Sequence, residues 1–275
     1  MIAQITKCLK VLVYSNIIIG VSAGIYAAGW SRFVGASNWI DYGLFSFFAT
    51  LAVYNLDKLW KIQWVSEPSD WLFWIQKHQL LLWFLTFVLG ILAFYILICI
   101  IELKTISAGL VLLLAGFCAF LYSFPIQLFR LRKISGAKAI FIALVWVAVL
   151  GCFPLLNENL IIPNASFHFV GMFTFFLALT IPFDIRDLDK DPEHLKTIPQ
   201  RFGITKAKVA GHILLVISLF FAIFSYNFGV NLWIALIFLL LGFLTDKASP
   251  NAKWWIYALI DSSVFSIGIG LLLFK

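Results

Sequence analysis

Residues 167–191 read FHFVGMFTFFLALTIPFDIRDLDKD: an uncharged run from Phe167 to Phe183, then four aspartates, Asp184, Asp187, Asp189 and Asp191. The run is close to the ~20 apolar residues that a helix needs to cross the hydrocarbon layer. The acidic segment after it marks the point where the chain leaves that layer. Equivalent uncharged runs extend from Val11 to Gly29, Leu80 to Ile101, Ile106 to Phe124 and Ala139 to Leu156. Shorter or more polar ones cover Ile40 to Leu56 (with Asp41 at its edge), Val209 to Phe228 and Val230 to Thr245. Trp254 to Phe274 completes the series and carries one internal acid, Asp261. The expected fold is therefore all-α: a single membrane domain over residues 1–275, with nine transmembrane helices around a central cavity open to the cytoplasmic side.

Composition agrees. Hydrophobic residues make up 63% of the 275 and charged residues only 12%, about half the share expected of a soluble chain. Mean hydropathy is +1.00. The net charge of +7 would suggest nucleic acid in a soluble protein. Here the distribution of Lys and Arg explains it, and no nucleic-acid partner is expected. With the loops assigned alternately to the two sides, seventeen Lys and Arg fall on one side and three (Arg32, Lys104 and Lys275) on the other. Basic residues are retained in the cytoplasm, which puts the N-terminus inside and the C-terminus outside; the expected location is a bacterial inner membrane. Lys7 and Lys10 ahead of an apolar stretch also suit a signal peptide, but the run reaches the length of a full span and retention is favoured. Cys8, Cys99, Cys118 and Cys152 have no ligand-like spacing and read as free core thiols.

Five of the thirteen acidic residues lie between Asp184 and Glu193. On a continuous helix, Asp184, Asp187 and Asp191 would share one face while Asp189 points away. Such stacking of like charge gives a helix nothing. The segment is either a solvated acidic loop or a site for hard divalent cations, with Mg2+ holding a phosphorylated substrate. On the same side lie Tyr122-Ser123-Phe124-Pro125 and the basic residues Arg130, Arg132, Lys133 and Lys138. They are either membrane anchors or cations that grip diphosphate oxygens. The second apolar run ends in Tyr54-Asn55-Leu56-Asp57-Lys58, either an interfacial helix end or residues facing the same cavity. Asn55 and Asp57 diverge by about 200° on a regular helix, so both reach one site only if the helix breaks. Asn16 reads as an interhelical hydrogen-bonding residue. Trp64, Trp71 and Trp74 suit a segment in the headgroup region. His168 reads as part of an external loop, and Asp261 as equally suited to function or to interhelical bonding.

Asp184-Ile185-Arg186-Asp187 with Asp191, then Lys196-Thr197-Ile198-Pro199 and Arg201-Phe202-Gly203, resembles the second aspartate motif of the UbiA-type polyprenyltransferase superfamily. Tyr122-Ser123-Phe124-Pro125 with the basics after it resembles the segment following that family's fourth helix. The resemblance implies an intramembrane, Mg2+-dependent enzyme that transfers a polyprenyl group from its diphosphate to a lipophilic, often aromatic, acceptor. It implies that Asp184, Asp187 and Asp191 hold Mg2+, and that Lys196, Arg130, Arg132, Lys133 and Lys138 stabilise the departing diphosphate. Asn55 matches the start of the first motif. The family follows that Asn with acids at offsets one, four and eight, where this chain has Leu56, Leu59 and Gln63, with Asp57 out of register. Lys58, one turn from Asn55, is a candidate to supply positive charge in place of a second metal ion. Tyr122 and Trp146 are candidates for an aromatic wall around the allylic cation. The alternatives are a catalytically impaired homologue that binds prenyl lipid or a partner protein, and a transporter. The cytoplasmic placement of the acids argues against the latter, since transport sites lie near the midplane.

Overall fold

The computed structural model describes residues 10–62, 70–123, 136–189, 191 and 195–274. Among them there is no strand, and the helices are α1 (Ile17–Val34), α2 (Trp39–Lys61), α3 (Asp70–Lys77), α4 (Gln79–Ile101), α5 (Ile106–Ser123), α6 (Lys138–Asn157), α7 (Ala165–Arg186), α8 (Ile198–Ile223), α9 (Phe228–Lys247) and α10 (Trp254–Leu273). Seven of these, α1, α4 and α6 to α10, are long and apolar enough to cross a membrane, and the chain is an integral-membrane protein. The apolar part of α5, Ile106–Tyr122, is shorter, and α2 carries Asp41, Asp57, Lys58 and Lys61.

The bundle is closed by α1, which packs against both α2 and α10. Small residues permit this. A Cβ on Gly29 would fall on the backbone carbonyl of Gly268, and one on Gly268 would lie 2.6 Å from the Ile25 carbonyl oxygen. Backbones that approach so closely gain dispersion contacts where lipid gives helices no hydrophobic reason to associate. Inside the ring the core is aromatic: Phe175 of α7 stacks on Phe238 of α9 at 5.5 Å, and Trp30 of α1 is fully buried. The wider π-helical turn Val147–Cys152 in α6 brings the Gly151 carbonyl within 2.9 Å of the Trp30 indole N–H, which donates to it. The apolar side chains of α4 and α5, including Leu80, Phe84, Phe87, Leu113 and Phe117, face outward toward lipid.

A polar network ties the end opposite the acidic motif. Asn157 donates to the Tyr42 hydroxyl and to the Glu102 carbonyl, Tyr42 donates to Glu158, and Lys104 pairs with Glu158 at 2.7 Å. His168 belongs to the first turn of α7, not to an external loop. It is buried among the rings of Trp30, Phe33 and Tyr226. Cys99, Cys118 and Cys152 are free as expected, but Cys99 is exposed and the other two only half-buried, so they are not core thiols. Cys8 lies outside the described residues.

The α1–α10 crossing leaves no room for a side chain on Gly268. Gly268→Val is expected to lower stability by about 1–3 kcal/mol or more, as overpacking does, read as a fall in thermal unfolding temperature in detergent. Gly90→Val, where nothing lies within 4 Å, is the control expected to change little.

Candidate active site

The apolar face of the last turn of α7 fixes the acidic motif. Ile181 and Ile185, both fully buried, pack with Ala207 of α8 and Ala248 at the end of α9. Asp184 lies between them in sequence and is 2% exposed. α7 does not continue through the motif: Asp187 is its C-cap and residues 187–189 form a turn. Asp191 precedes Pro192, which disfavours helical backbone at that position. The single helical ridge of three aspartates expected from sequence is therefore not formed. Seven residues of α-helix would separate Asp184 and Asp191 by roughly 10 Å along the axis. The turn folds them back instead onto one cation: Lys138 Nζ, at the start of α6, lies 2.7 Å from Asp184 Oδ1 and 2.6 Å from Asp191 Oδ2. Lys138 is itself buried.

Asp187 points elsewhere. It accepts two hydrogen bonds from Arg186, at 2.9 and 2.8 Å. The Arg186 guanidinium also lies over the rings of Phe183 and Tyr257, 5.0 and 5.1 Å from their centroids. Asp189 is exposed. The chain after the motif is anchored by the capping box of α8, in which the Gln200 side chain accepts from the Thr197 N–H at 2.9 Å. The Gln200 amide also donates to the Asp191 carbonyl at 3.0 Å, and the Gly136 N–H donates to the Leu195 carbonyl at 2.8 Å. The first bond ties the motif to the start of α8 and the second ties the chain after it to the entry to α6. Lys196 sits at φ 46° and is exposed. Gly203 (φ 82°) kinks α8 immediately after Arg201 and Phe202.

The first-motif residues gather around a break in the helix that leads into α1. Residues 10–14 are helical, and Asn16, at φ 62°, interrupts the run. The Asn16 amide donates to Asn55 Oδ1 at 2.7 Å, the interhelical bond expected of an Asn in an apolar run, and Lys58 donates to the freed Tyr14 carbonyl at 3.1 Å. Asn55 and Lys58, three apart, thus share one face of α2. The helix runs unbroken past them, so Asp57 is turned away from Asn55. Short helix α3 closes beside this break: Trp74 lies 6.2 Å from the Tyr14 ring, and Ile75 is buried on Leu59 and Leu82. Of the three tryptophans expected there, Trp64 is outside the described residues.

Trp146 stacks on Phe176 at 5.1 Å, with Tyr54 at its edge and Tyr26 beyond Phe176. This aromatic file runs from the residue before Asn55 into the bundle core. Phe176 was not singled out from sequence, and Tyr54 only as part of the Tyr54–Lys58 helix end, because nothing there distinguishes either from other aromatics as part of such a file. Tyr122 lies close enough to Lys138 to interact with it electrostatically, as Asp261 does with both Arg186 and Lys58. Arg130, Arg132 and Lys133 lie outside the described residues. A cavity of about 20 Å³, lined by Tyr26, His168, Phe175, Ser218 and Tyr226, holds about one water. It lies near the start of α7, away from the motif.

Among the described residues no three His, Cys, Asp or Glu side chains gather at metal-binding spacing. Two carboxylates that already converge on one cation still suit Mg2+, which takes one or two protein carboxylates and fills its shell with water and substrate phosphate. Removing one partner of the Asn16–Asn55 bond should expose its size. Asn55→Leu is expected to cost about 0.6–1.7 kcal/mol, the range for hydrogen bonds between membrane helices. Thermal unfolding of the two single variants and of Asn16→Leu/Asn55→Leu should give a coupling energy of that order.

No family profile and no curated protein matches the chain. Solved structures do. A UbiA homologue from Archaeoglobus fulgidus bound to GPP and Mg2+ superposes with a TM-score of 0.66 at 15% identity, over 95% of this chain and 98% of that one. The same homologue bound to DMAPP and Mg2+ gives 0.62 at 15% identity, over 95% and 98%, and bound to Cd2+ 0.58 at 16%, over 94% and 98%. At this identity the likeness carries architecture alone: the chain has the fold of the UbiA homologues.

Proposed function

We propose that this protein transfers a polyprenyl group from a prenyl diphosphate to a lipophilic aromatic acceptor within the membrane, with Mg2+ as cofactor. The observation that carries this reading is the buried meeting of Asp184, Asp191 and Lys138 in a fold whose solved examples bind prenyl diphosphates with Mg2+. Two acids and a cation at one end of an apolar bundle suit a substrate with a charged head and a greasy tail. The reading includes nine spans, with α2 and α5 crossing beside the seven apolar helices, the N-terminus and the motif end in the cytoplasm, and a chamber opening from that end.

Asp184 and Asp191 would hold the metal, with Asp187 joining on release from Arg186. The metal would supply positive charge to the diphosphate as the C–O bond ionises. Lys138 and Lys196, with Arg130, Arg132 and Lys133, bind phosphate oxygens and stabilise the charge that develops on them. Asn55 and Lys58 line the other side of the entry, while Asp57, on a different face of the unbroken α2, does not reach it with them. Lys58 keeps a cation there without the acids of a first motif, and its present bond to the Tyr14 carbonyl holds it in position. The π-faces of Tyr54, Trp146 and Phe176, with Tyr122 near Lys138, offer an allylic cation stabilisation by cation–π contact. The apolar bundle keeps water from quenching it.

A second reading is favoured by one observation: Asn55 and Lys58 are both engaged in holding the break before α1. On that reading the protein binds prenyl lipid without turnover.

The test is release of inorganic diphosphate from a panel of prenyl diphosphates by purified protein with Mg2+. The transferase reading expects release that depends on Mg2+ and falls by about a hundredfold or more in Asp184→Ala and Asp191→Ala, the scale of removing an electrostatic stabiliser. Binding of prenyl diphosphate without release in any member of the panel would leave the second reading. Lys58→Ala is expected to weaken diphosphate binding, and unchanged affinity would remove Lys58 from the site.

A further inference from the structure

Lys138 occupies the position that a metal ion between Asp184 and Asp191 would need. Its ammonium carries three donors; it donates to Asp191 Oδ2 at 2.6 Å and forms an ion pair with Asp184 Oδ1 at 2.7 Å. All three side chains are nearly excluded from solvent, with exposures of 10%, 2% and 6%. Among the described residues, Arg186 is held by Asp187 and two rings, and Lys58 by the Tyr14 carbonyl. Two buried ionised carboxylates without a cation repel each other and lose their hydration, so the pair stays ionised only with positive charge beside it and otherwise takes up a proton. Lys138 supplies that charge here.

We infer that Lys138 is a resident counter-ion that excludes divalent metal from the acidic pair until diphosphate arrives, so that metal and diphosphate bind together and neither binds well alone. The inference rests on the prenyl-diphosphate reading of the site. A divalent ion entering by itself must displace the ammonium and then leave it buried beside a dication, where the two repel. Diphosphate removes that obstacle because its oxygens accept the ammonium. Lys138 stands at the first position of α6, so its flexible stem can carry the charge from carboxylate to phosphate while the helix stays in place. The coupling is reciprocal: whatever factor diphosphate adds to metal affinity, metal adds to diphosphate affinity. Lys138 is then a positioning residue for the metal as well as a phosphate ligand.

The test measures binding of Mn2+ by electron paramagnetic resonance to the full chain in detergent, without diphosphate. Wild type is expected to bind weakly. Lys138→Met should bind one Mn2+ per chain at least about tenfold more tightly, since a unit charge at contact distance is worth more than that in a poorly hydrated site. The gain should vanish in Lys138→Met/Asp184→Asn. Lys138→Met should also unfold at a lower temperature than wild type and recover on addition of Mn2+, a response that loss of a purely structural ion pair would not give. Where the Met variant does not fold, Lys138→Gln removes the charge while keeping a donor, and is expected to show the same tighter binding. Mn2+ affinity in the folded variants equal to or below wild type overturns the inference. So does tight Mn2+ binding by wild type alone, although both results leave the prenyl-diphosphate reading standing. If neither wild type nor variant binds Mn2+, even with a non-hydrolysable prenyl thiodiphosphate present, both fall together. Failure of diphosphate release with the Mn2+ result intact overturns turnover alone.

Discussion

Two buried carboxylates that stay ionised side by side need positive charge between them, and that constraint organises one end of this bundle. Asp184 belongs to α7, Asp191 to the turn beyond it, and Lys138 to the entry of α6. Meeting the constraint fixes all three elements relative to one another. The bond from Gly136 to Leu195 and the Gln200 amide on the Asp191 carbonyl follow the same seam. Below it, Ile181 and Ile185 hold the last turn of α7 against α8 and α9. The charged cluster is thus seated on a packed apolar floor. A buried ionic cluster is weak evidence for stability, because desolvation can outweigh attraction. Its presence at the end of a bundle otherwise made of Phe, Leu and Ile is better explained by what such a cluster can bind.

The first motif shows a different use of the same residue types. A left-handed residue, Asn16, breaks the helix leading into α1 and frees the Tyr14 carbonyl, which in an apolar bundle must find a donor. Lys58 provides it, and Asn55 holds the Asn16 side chain. One face of α2 therefore serves the backbone of its neighbour. Asp261 on α10 lies within electrostatic reach of both Lys58 and Arg186, linking the surroundings of the first motif to those of the second.

Much of this was legible in the sequence because the bilayer imposes long uncharged runs, and the ends of α4, α6 and α10 fall within a few residues of the expected limits. The position of the acids at a helix end was equally readable. Their arrangement was not. Helical periodicity places Asp184, Asp187 and Asp191 on one face, but the C-cap at Asp187 and the proline after Asp191 end the helix first, and Arg186 takes Asp187 away. Lys138 was recognisable as a basic residue near the membrane edge. Its pairing with an acid 53 positions away has no local signature. Asn16 read correctly as an interhelical donor, whereas the broken helix that occupies Lys58 depends on a positive φ at Asn16 that apolar neighbours do not announce. Charges on α2 and the short apolar part of α5 leave the structure with seven clear spans where the apolar runs suggested nine.

The contact between Gly29 and Gly268 has a consequence for biogenesis. The wall that α1 shares with α10 is made from the two ends of the described chain, so translation must proceed through the final helix before the ring can shut. Until then the face of α1 around Gly29 that meets Gly268 has no partner from α10. The nascent bundle can already bury α1 against α2, but the α1–α10 wall forms only once α10 has been made.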